Sequence, residues 1–199
     1  MAFNYPVSSV RITQRFRDNS SFYAKYGQKG HNGIDFAVPH NTPVYAADEG
    51  SVVFEGWGGE KESWAGSIAG IYIRLNHGRS FSGYAHLSRT IINKGQKVKK
   101  GQLIGYSGSS GVATGPHLHF EMFPLKPNFT NGYAGRINPE PYITSSHKHK
   151  TASPKKKTEA QLEADMKAKA QAEIAKKNSK MIAKFKVELQ ALIYKFFGK

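Results

Sequence analysis

The segment Gly115–Met122, GPHLHFEM, sets two histidines two residues apart, with a glutamate two further on. Side chains of a β-strand alternate between faces, so His117, His119 and Glu121 point one way and Leu118, Phe120 and Met122 the other. Upstream, in GHNGIDFAVP, His31 and Asp35 stand four residues apart. Gly33 and the β-like IDFAV make this a turn entering a strand, with Ile34, Phe36 and Val38 toward a core and Asp35 on the other side. A carboxylate beside a sheet core is costly unless it is paired, hydrogen-bonded or metal-bound. A third segment, GYAHL, reads as a strand with Tyr84 and His86 on one face and Ala85 and Leu87 on the other. Any one of these is compatible with an ordinary half-buried strand. Three that each set imidazole or carboxylate opposite an apolar face point to a metal site.

Zinc at a catalytic site takes three protein ligands and keeps one position for water, whereas a structural zinc is closed by four. His31, Asp35 and one of His117 and His119 make a set of two histidines and one carboxylate. The other histidine and His86 are then free to act as acid, base or transition-state stabiliser. The chain contains no cysteine, which excludes thiolate metal sites, cysteine nucleophiles and disulfides and leaves His, Asp and Glu as metal ligands. His40 and His77, in the turn-like contexts VPHNTP and LNHGR, read as surface residues. His147 and His149 lie in a basic stretch without apolar or acidic framing and are not read as ligands.

These side chains must be held by a sheet. From Met1 to Ile143 the pattern is short β-rich segments separated by Gly, Pro and Asn, an all-β meander without convincing helical periodicity. TPVYAADEGSVVFEGW reads as strand, tight turn at Asp48–Gly50 and strand, and IYIRLNHGRSFSGYAHL repeats the scheme around a turn near Asn76–Gly78. A short apolar strand at Leu103–Tyr106 and a Gly/Ser loop lead into the histidine pair. With 199 residues the chain has room for one full domain and an appendage.

The net charge of +15 is uneven. Up to Ile143 there are 15 Lys and Arg against 9 acidic residues, and from Thr144 onward 14 Lys against 5. Residues 144–158 read as a basic flexible linker, and residues 159–199 as a lysine-rich amphipathic α-helical tail opened by a capping box at Thr158 and Gln161. The apolar face of the tail can pack on the β domain or on itself, lie in a membrane interface, or bind a wall polymer. Lysine without arginine suits diffuse attraction to anionic membranes or polymers, so nucleic acid is not an expected partner. No basic start followed by an apolar block marks a secretory signal, and no apolar run of about eighteen residues marks a membrane span.

His31-xxx-Asp35, the YAHL around His86 and GPHLHFE around His117 and His119, with VKKGQLIGYSGSSG between, resemble the M23 family of zinc metallopeptidases, the LytM or lysostaphin-like family. The resemblance covers roughly Val10 to Tyr142, and FYAKYGQKGHNGID is similar to phage-borne members. It implies a mainly β, antiparallel LytM-like (duplicated-hybrid-motif-like) catalytic domain over residues 1–143. By position, zinc would be held by His31, Asp35 and His119, with His86 and His117 as the catalytic histidines and Tyr23 or Tyr26 aiding the oxyanion. Glu121 is either an outer partner of a ligand imidazole or a member of a surface salt bridge. HNGID departs from the HYGVD of lysostaphin-like glycyl-glycine cutters, which weakens transfer of their substrate preference.

The resemblance implies a peptidoglycan endopeptidase acting on the cell wall. Without a visible secretory signal the sequence fits a phage lysin made in a cytoplasm, and a virion-borne enzyme or a trimmed bacterial protein fits it as well. The expected bond is the D-alanyl to diaminopimelate cross-link. The basic tail would deliver the enzyme to anionic lipid, lipopolysaccharide or teichoic acid. The competing readings are a non-catalytic relative that binds or regulates wall enzymes, and a membrane-disrupting protein acting mainly through its tail.

Overall fold

The computed structural model describes residues 2–60 and 64–144. Nearly all of the linker and the whole tail read from the sequence, residues 145–199, lie outside the described residues. The described chain builds one antiparallel sheet of nine strands: β1 (Ile12–Gln14), β2 (Ile34–Phe36), β3 (Pro43–Tyr45), β4 (Gly50–Trp57), β5 (Ile71–Asn76), β6 (Ser80–Thr90), β7 (Lys97–Val98), β8 (Leu103–Ser107) and β9 (Leu118–Pro124). The main path runs β1-β2-β9-β6-β5-β4-β7, and β8 branches from β6 to pair with β3.

Only β4, β5 and β6 form a meander. The turn at Asn76–Gly78 is a true hairpin, closed by the His77 amide donating to the Ser80 carbonyl at 2.9 Å. The strands expected on either side of the turn at Asp48 are present as β3 and β4, but they do not pair as a meander requires. Instead β3 pairs with β8, and β4 pairs with β5 and β7, so the turn passes the chain from one part of the sheet to another. One short helix, α1 (Ser20–Ala24), also departs from the all-β expectation. Five residues cannot show a helical period, so the sequence pattern does not reveal it.

The principal core takes Ile34, Phe36 and Val38 with Leu118, Phe120 and Met122, as the alternation along β2 and β9 requires. A smaller cluster of Phe54, Ala65, Ala69, Tyr72 and Ala85 is separate from it. Strand β6 does not keep its alternation. Leu87 faces Ile71 and Tyr84 faces Ile73, so Tyr72 opposes both Ala85 and His86, and His86 has φ +58°. This β-bulge corrects the expected faces: Tyr84 and Leu87 join the principal core, while Ala85 and His86 line the same groove. The Tyr84 hydroxyl accepts the Ala47 amide at 2.8 Å and so is tied away from the histidines.

The sheet is fastened where the described chain begins and ends. Phe3, fully buried, forms a parallel bridge with Ile143, its amide donating to the Tyr142 carbonyl at 2.8 Å and its carbonyl accepting from the Thr144 amide at 3.0 Å. His77 packs edge-on against Phe3 with ring centroids 5.1 Å apart. It is not the free surface residue expected from LNHGR. It is half-buried, its Nδ1 donating to the Glu49 carbonyl at 2.6 Å and its Nε2 meeting the Ser82 hydroxyl at 2.7 Å. His40 is exposed, as expected.

Burial pushes the His77 imidazole below its ordinary value, although the Glu49 carbonyl opposes this. The folded form therefore stays neutral at pH values where the unfolded chain, near about 6.5, takes up a proton. Stability is lost as pH falls below that value. Urea midpoints at pH 7.5 and 5.5 should drop further for the wild type than for His77→Gln, and equal drops would rule His77 out as the source.

Candidate metal centre

Each residue of the centre is set by a local cause. Asp35 in β2 lies directly across from His119 in β9, so the carboxylate and imidazole project together from neighbouring strands. The turn before β2 brings in His31, only 1% exposed, whose Nδ1 donates to the Arg15 carbonyl at 3.1 Å and thereby turns Nε2 inward. His31 Nε2 lies 2.9 Å from His119 Nδ1 and 3.2 Å from Asp35 Oδ1, and His119 Nδ1 lies 2.9 Å from the same oxygen. Three donor atoms thus surround one point. Zinc bonds of about 2.0–2.1 Å in a tetrahedron would set ligand atoms about 3.3 Å apart. Two imidazoles and a carboxylate are also the donor types zinc takes, so these residues fit the ion.

Gly33 is demanded by close approach. A Cβ there would sit 2.5 Å from the Phe120 carbonyl oxygen and 2.7 Å from His119 Cε1. The carbonyl belongs to a sheet strand and cannot yield cheaply, so Gly33→Ala should cost about 1–3 kcal/mol and displace the His119 ring. Thermal midpoint and zinc affinity, measured together, should both fall. A variant with unchanged zinc affinity would show that the ring tolerates the shift.

Burial works against a charge on Asp35, yet hydrogen bonds from His119 and His31 hold its carboxyl well below the usual carboxylate range. Burial alone would lower His119, but its bond to Asp35 and the Glu121 carboxylate carry it up to about 9.

His117 and His86 stand beside these three. His117 Nδ1 donates to the Gly115 carbonyl and His86 Nδ1 to the Ser110 carbonyl, each at 2.8 Å. Both rings consequently present Nε2 as the atom free of backbone. The rings are 4.7 Å apart between centroids, His86 is 5.9 Å from His119, and His117 Nε2 is 3.9 Å from Asp35 Oδ1. Burial, with His119 and His117 nearby, lowers His86 to about 4, which keeps its imidazole neutral near pH 7.

Helix α1 presents Tyr23 to the groove and the turn that follows it presents Tyr26, and the two differ. Tyr23 has its ring centroid 5.4 Å from that of His31, and its hydroxyl accepts from Gln14 Nε2 at 3.2 Å. Burial and the nearby Asp35 charge push Tyr23 up to about 12, so the phenol keeps its proton. Tyr26 packs against Phe22, and the Lys25 ammonium lies 5.0 Å from its ring centroid.

Glu121 shares the face of His119, as alternation predicts, but it is not part of a surface salt bridge. It is 2% exposed, its Oε2 lies 3.4 Å from His119 Nε2, and Arg136 Nε donates to the same oxygen at 2.7 Å. The Tyr72 hydroxyl donates to Oε1 at 2.6 Å. Arg136 and Tyr72 were not singled out from the sequence. The available signal was the carboxylate itself, since a charge on an inward face requires a partner.

The model of peptidase family M23 matches residues 29–132, a stretch that contains His31, Asp35, His86, His117 and His119. The chain belongs to peptidase family M23. M23 proteins are zinc metallopeptidases, and the cluster of His31, Asp35 and His119 suits that ion. Over 120 residues this M23 chain is 41% identical to peptidoglycan DD-endopeptidase ShyA of Vibrio cholerae, a match covering 59% of the chain and 26% of ShyA. Over 119 residues it is 38% identical to glycyl-glycine endopeptidase ALE-1 of Staphylococcus capitis, covering 58% of the chain and 30% of ALE-1. The crystal structure of a zinc-containing peptidase from Vibrio cholerae is similar with a TM-score of 0.55 at 32% identity, over 69% of this chain and 39% of that one. The chain thus matches less than a third of the length of either curated relative. Among the described residues no helix is long and apolar enough to cross a membrane.

Proposed function

We propose that this M23 protein is a zinc-dependent peptidoglycan endopeptidase that hydrolyses a peptide bond in wall cross-links. The observation that carries the reading is the meeting of two further imidazoles, His86 and His117, with the His31, Asp35 and His119 cluster. Zinc held by these three residues supplies a Lewis acid and lowers the pKa of a water from 15.7 toward about 7. The attacking water forms the new carbon–oxygen bond and gives up a proton, which Nε2 of His117 or His86 accepts and returns to the amine nitrogen as the carbon–nitrogen bond breaks. The same Nε2 atoms, once protonated, donate to the carbonyl oxygen as it gains negative charge. Tyr23, which keeps its hydroxyl proton and stands against His31, is the better candidate of the two tyrosines for a second donor to that oxygen.

The bond assigned is D-alanyl to diaminopimelate. Support comes from the likeness to a DD-endopeptidase at 41% identity and from HNGID standing where glycyl-glycine cutters carry HYGVD. The flank FYAKYGQKGHNGID supports a phage lysin, and the 14 lysines beyond Ile143 support delivery to an anionic envelope. Mass spectrometry of fragments from purified peptidoglycan of defined chemotypes tests the whole reading, with wild type, chelated protein, zinc-restored protein and His119→Ala side by side. Zinc-dependent fragments with one new amino terminus are expected from diaminopimelate-type walls. Intact peptidoglycan under every condition, with zinc bound, would return the case to a binding protein.

A further inference from the structure

His119 offers Nδ1 to the cluster, so its proton belongs on Nε2, and a buried N–H needs an acceptor. Among the described residues that acceptor is Glu121, with Oε2 at 3.4 Å. The carboxylate is itself over-determined. Arg136 Nε reaches Oε2 at 2.7 Å, Arg136 Nη2 reaches Oε1 at 3.2 Å, and the Tyr72 hydroxyl reaches Oε1 at 2.6 Å. Arg136 is 3% exposed and Tyr72 fully buried. The guanidinium also holds backbone on both sides, donating through Nη1 to the Ala134 carbonyl at 2.9 Å and through Nη2 to the Trp64 carbonyl at 3.1 Å. The segments carrying Trp64 and Ala134 are thereby tied to the carboxylate that meets the cluster.

A buried Arg–Glu pair is a poor source of stability, because desolvating two charges offsets most of their attraction, and apolar residues of similar volume often serve as well or better. Its position behind a ligand imidazole gives it a different use. We infer that Glu121 is a positioning residue for His119, and that Arg136 and Tyr72 lock its carboxylate against Nε2 so that Nδ1 is the nitrogen presented to zinc. This rests on His119 being a zinc ligand. An outer carboxylate of this kind typically supports metal affinity by 10- to 100-fold.

Removing Glu121 alone strands a buried guanidinium and threatens folding, so the test uses two double variants of the full chain. Glu121→Leu/Arg136→Met removes both charges and the acceptor, whereas Glu121→Gln/Arg136→Met removes the charges and keeps an amide oxygen near Nε2. Zinc affinity is read by competition with a chromophoric chelator, and ligand geometry by the d–d bands of the cobalt-substituted protein. The leucine double should bind zinc 10- to 100-fold more weakly than wild type with altered cobalt bands, and the glutamine double should recover most of that loss. Equal affinities in the two doubles, whether both like wild type or both weakened alike, would overturn the inference. Wild type that binds no zinc, or His119→Ala that binds it as tightly as wild type, would overturn the metal-site reading itself.

Discussion

Replacement of His119 by alanine should abolish stoichiometric zinc binding and lower hydrolysis of cross-linked peptidoglycan by on the order of 10⁴-fold or more, since the activated water is lost with the ion. The loss is expected to be large because His119 is the hub of the cluster. Its Nδ1 is within 2.9 Å of both His31 Nε2 and Asp35 Oδ1, and its other nitrogen meets Glu121. Taking it away also leaves the buried Asp35 carboxylate without its chief partner, so the variant should unfold at lower temperature than wild type. Zinc content, thermal midpoint and fragment release distinguish these effects. A chelated wild type that keeps its fold and loses activity, beside an inactive His119→Ala that is zinc-free, is the expected pattern. Full activity in either would remove zinc from the mechanism.

His86 should separate chemistry from metal binding. His86→Ala is expected to keep one zinc per chain and to lose about 10²- to 10⁴-fold in the rate of fragment release, the range for a lost proton-transfer or oxyanion partner. The bulge adds a second expectation. His86 holds φ +58°, a conformation that costs a side chain energy and costs glycine little. His86→Gly should therefore be roughly 1 kcal/mol more stable than His86→Ala while being as inactive. Zinc analysis, kinetics and urea unfolding on the same two variants check this, and an active alanine variant would take His86 out of the reaction.

The parts of the site that were legible in the sequence are those carried by unbroken strands. The alternation through Leu118–Pro124 put His119 and Glu121 on one face and Phe120 and Met122 on the other because nothing interrupts the period of two. Asp35 followed for the same reason. His86 was found as a residue but assigned the wrong companions, since one extra residue in β6 reverses the faces after it and leaves no mark in composition. The pairing of β3 with β8, and the reach of Arg136 to Glu121, are contacts between distant parts of the chain that no local window contains. His77 was misjudged because a turn residue is buried by the Phe3 segment, which comes from the far end of the described chain.

The bridge between Phe3 and Ile143 has a mechanical consequence. The two segments run parallel, so Ala2 and Thr144 lead away from the pair in opposite directions. Tension between the domain's two ends loads the Phe3–Tyr142 and Phe3–Thr144 hydrogen bonds in shear, together, rather than peeling them apart one after the other. With the Phe3 side chain fully buried in the principal core as an anchor, a force applied across the pair is resisted at this bridge, outside the strands that carry the histidines.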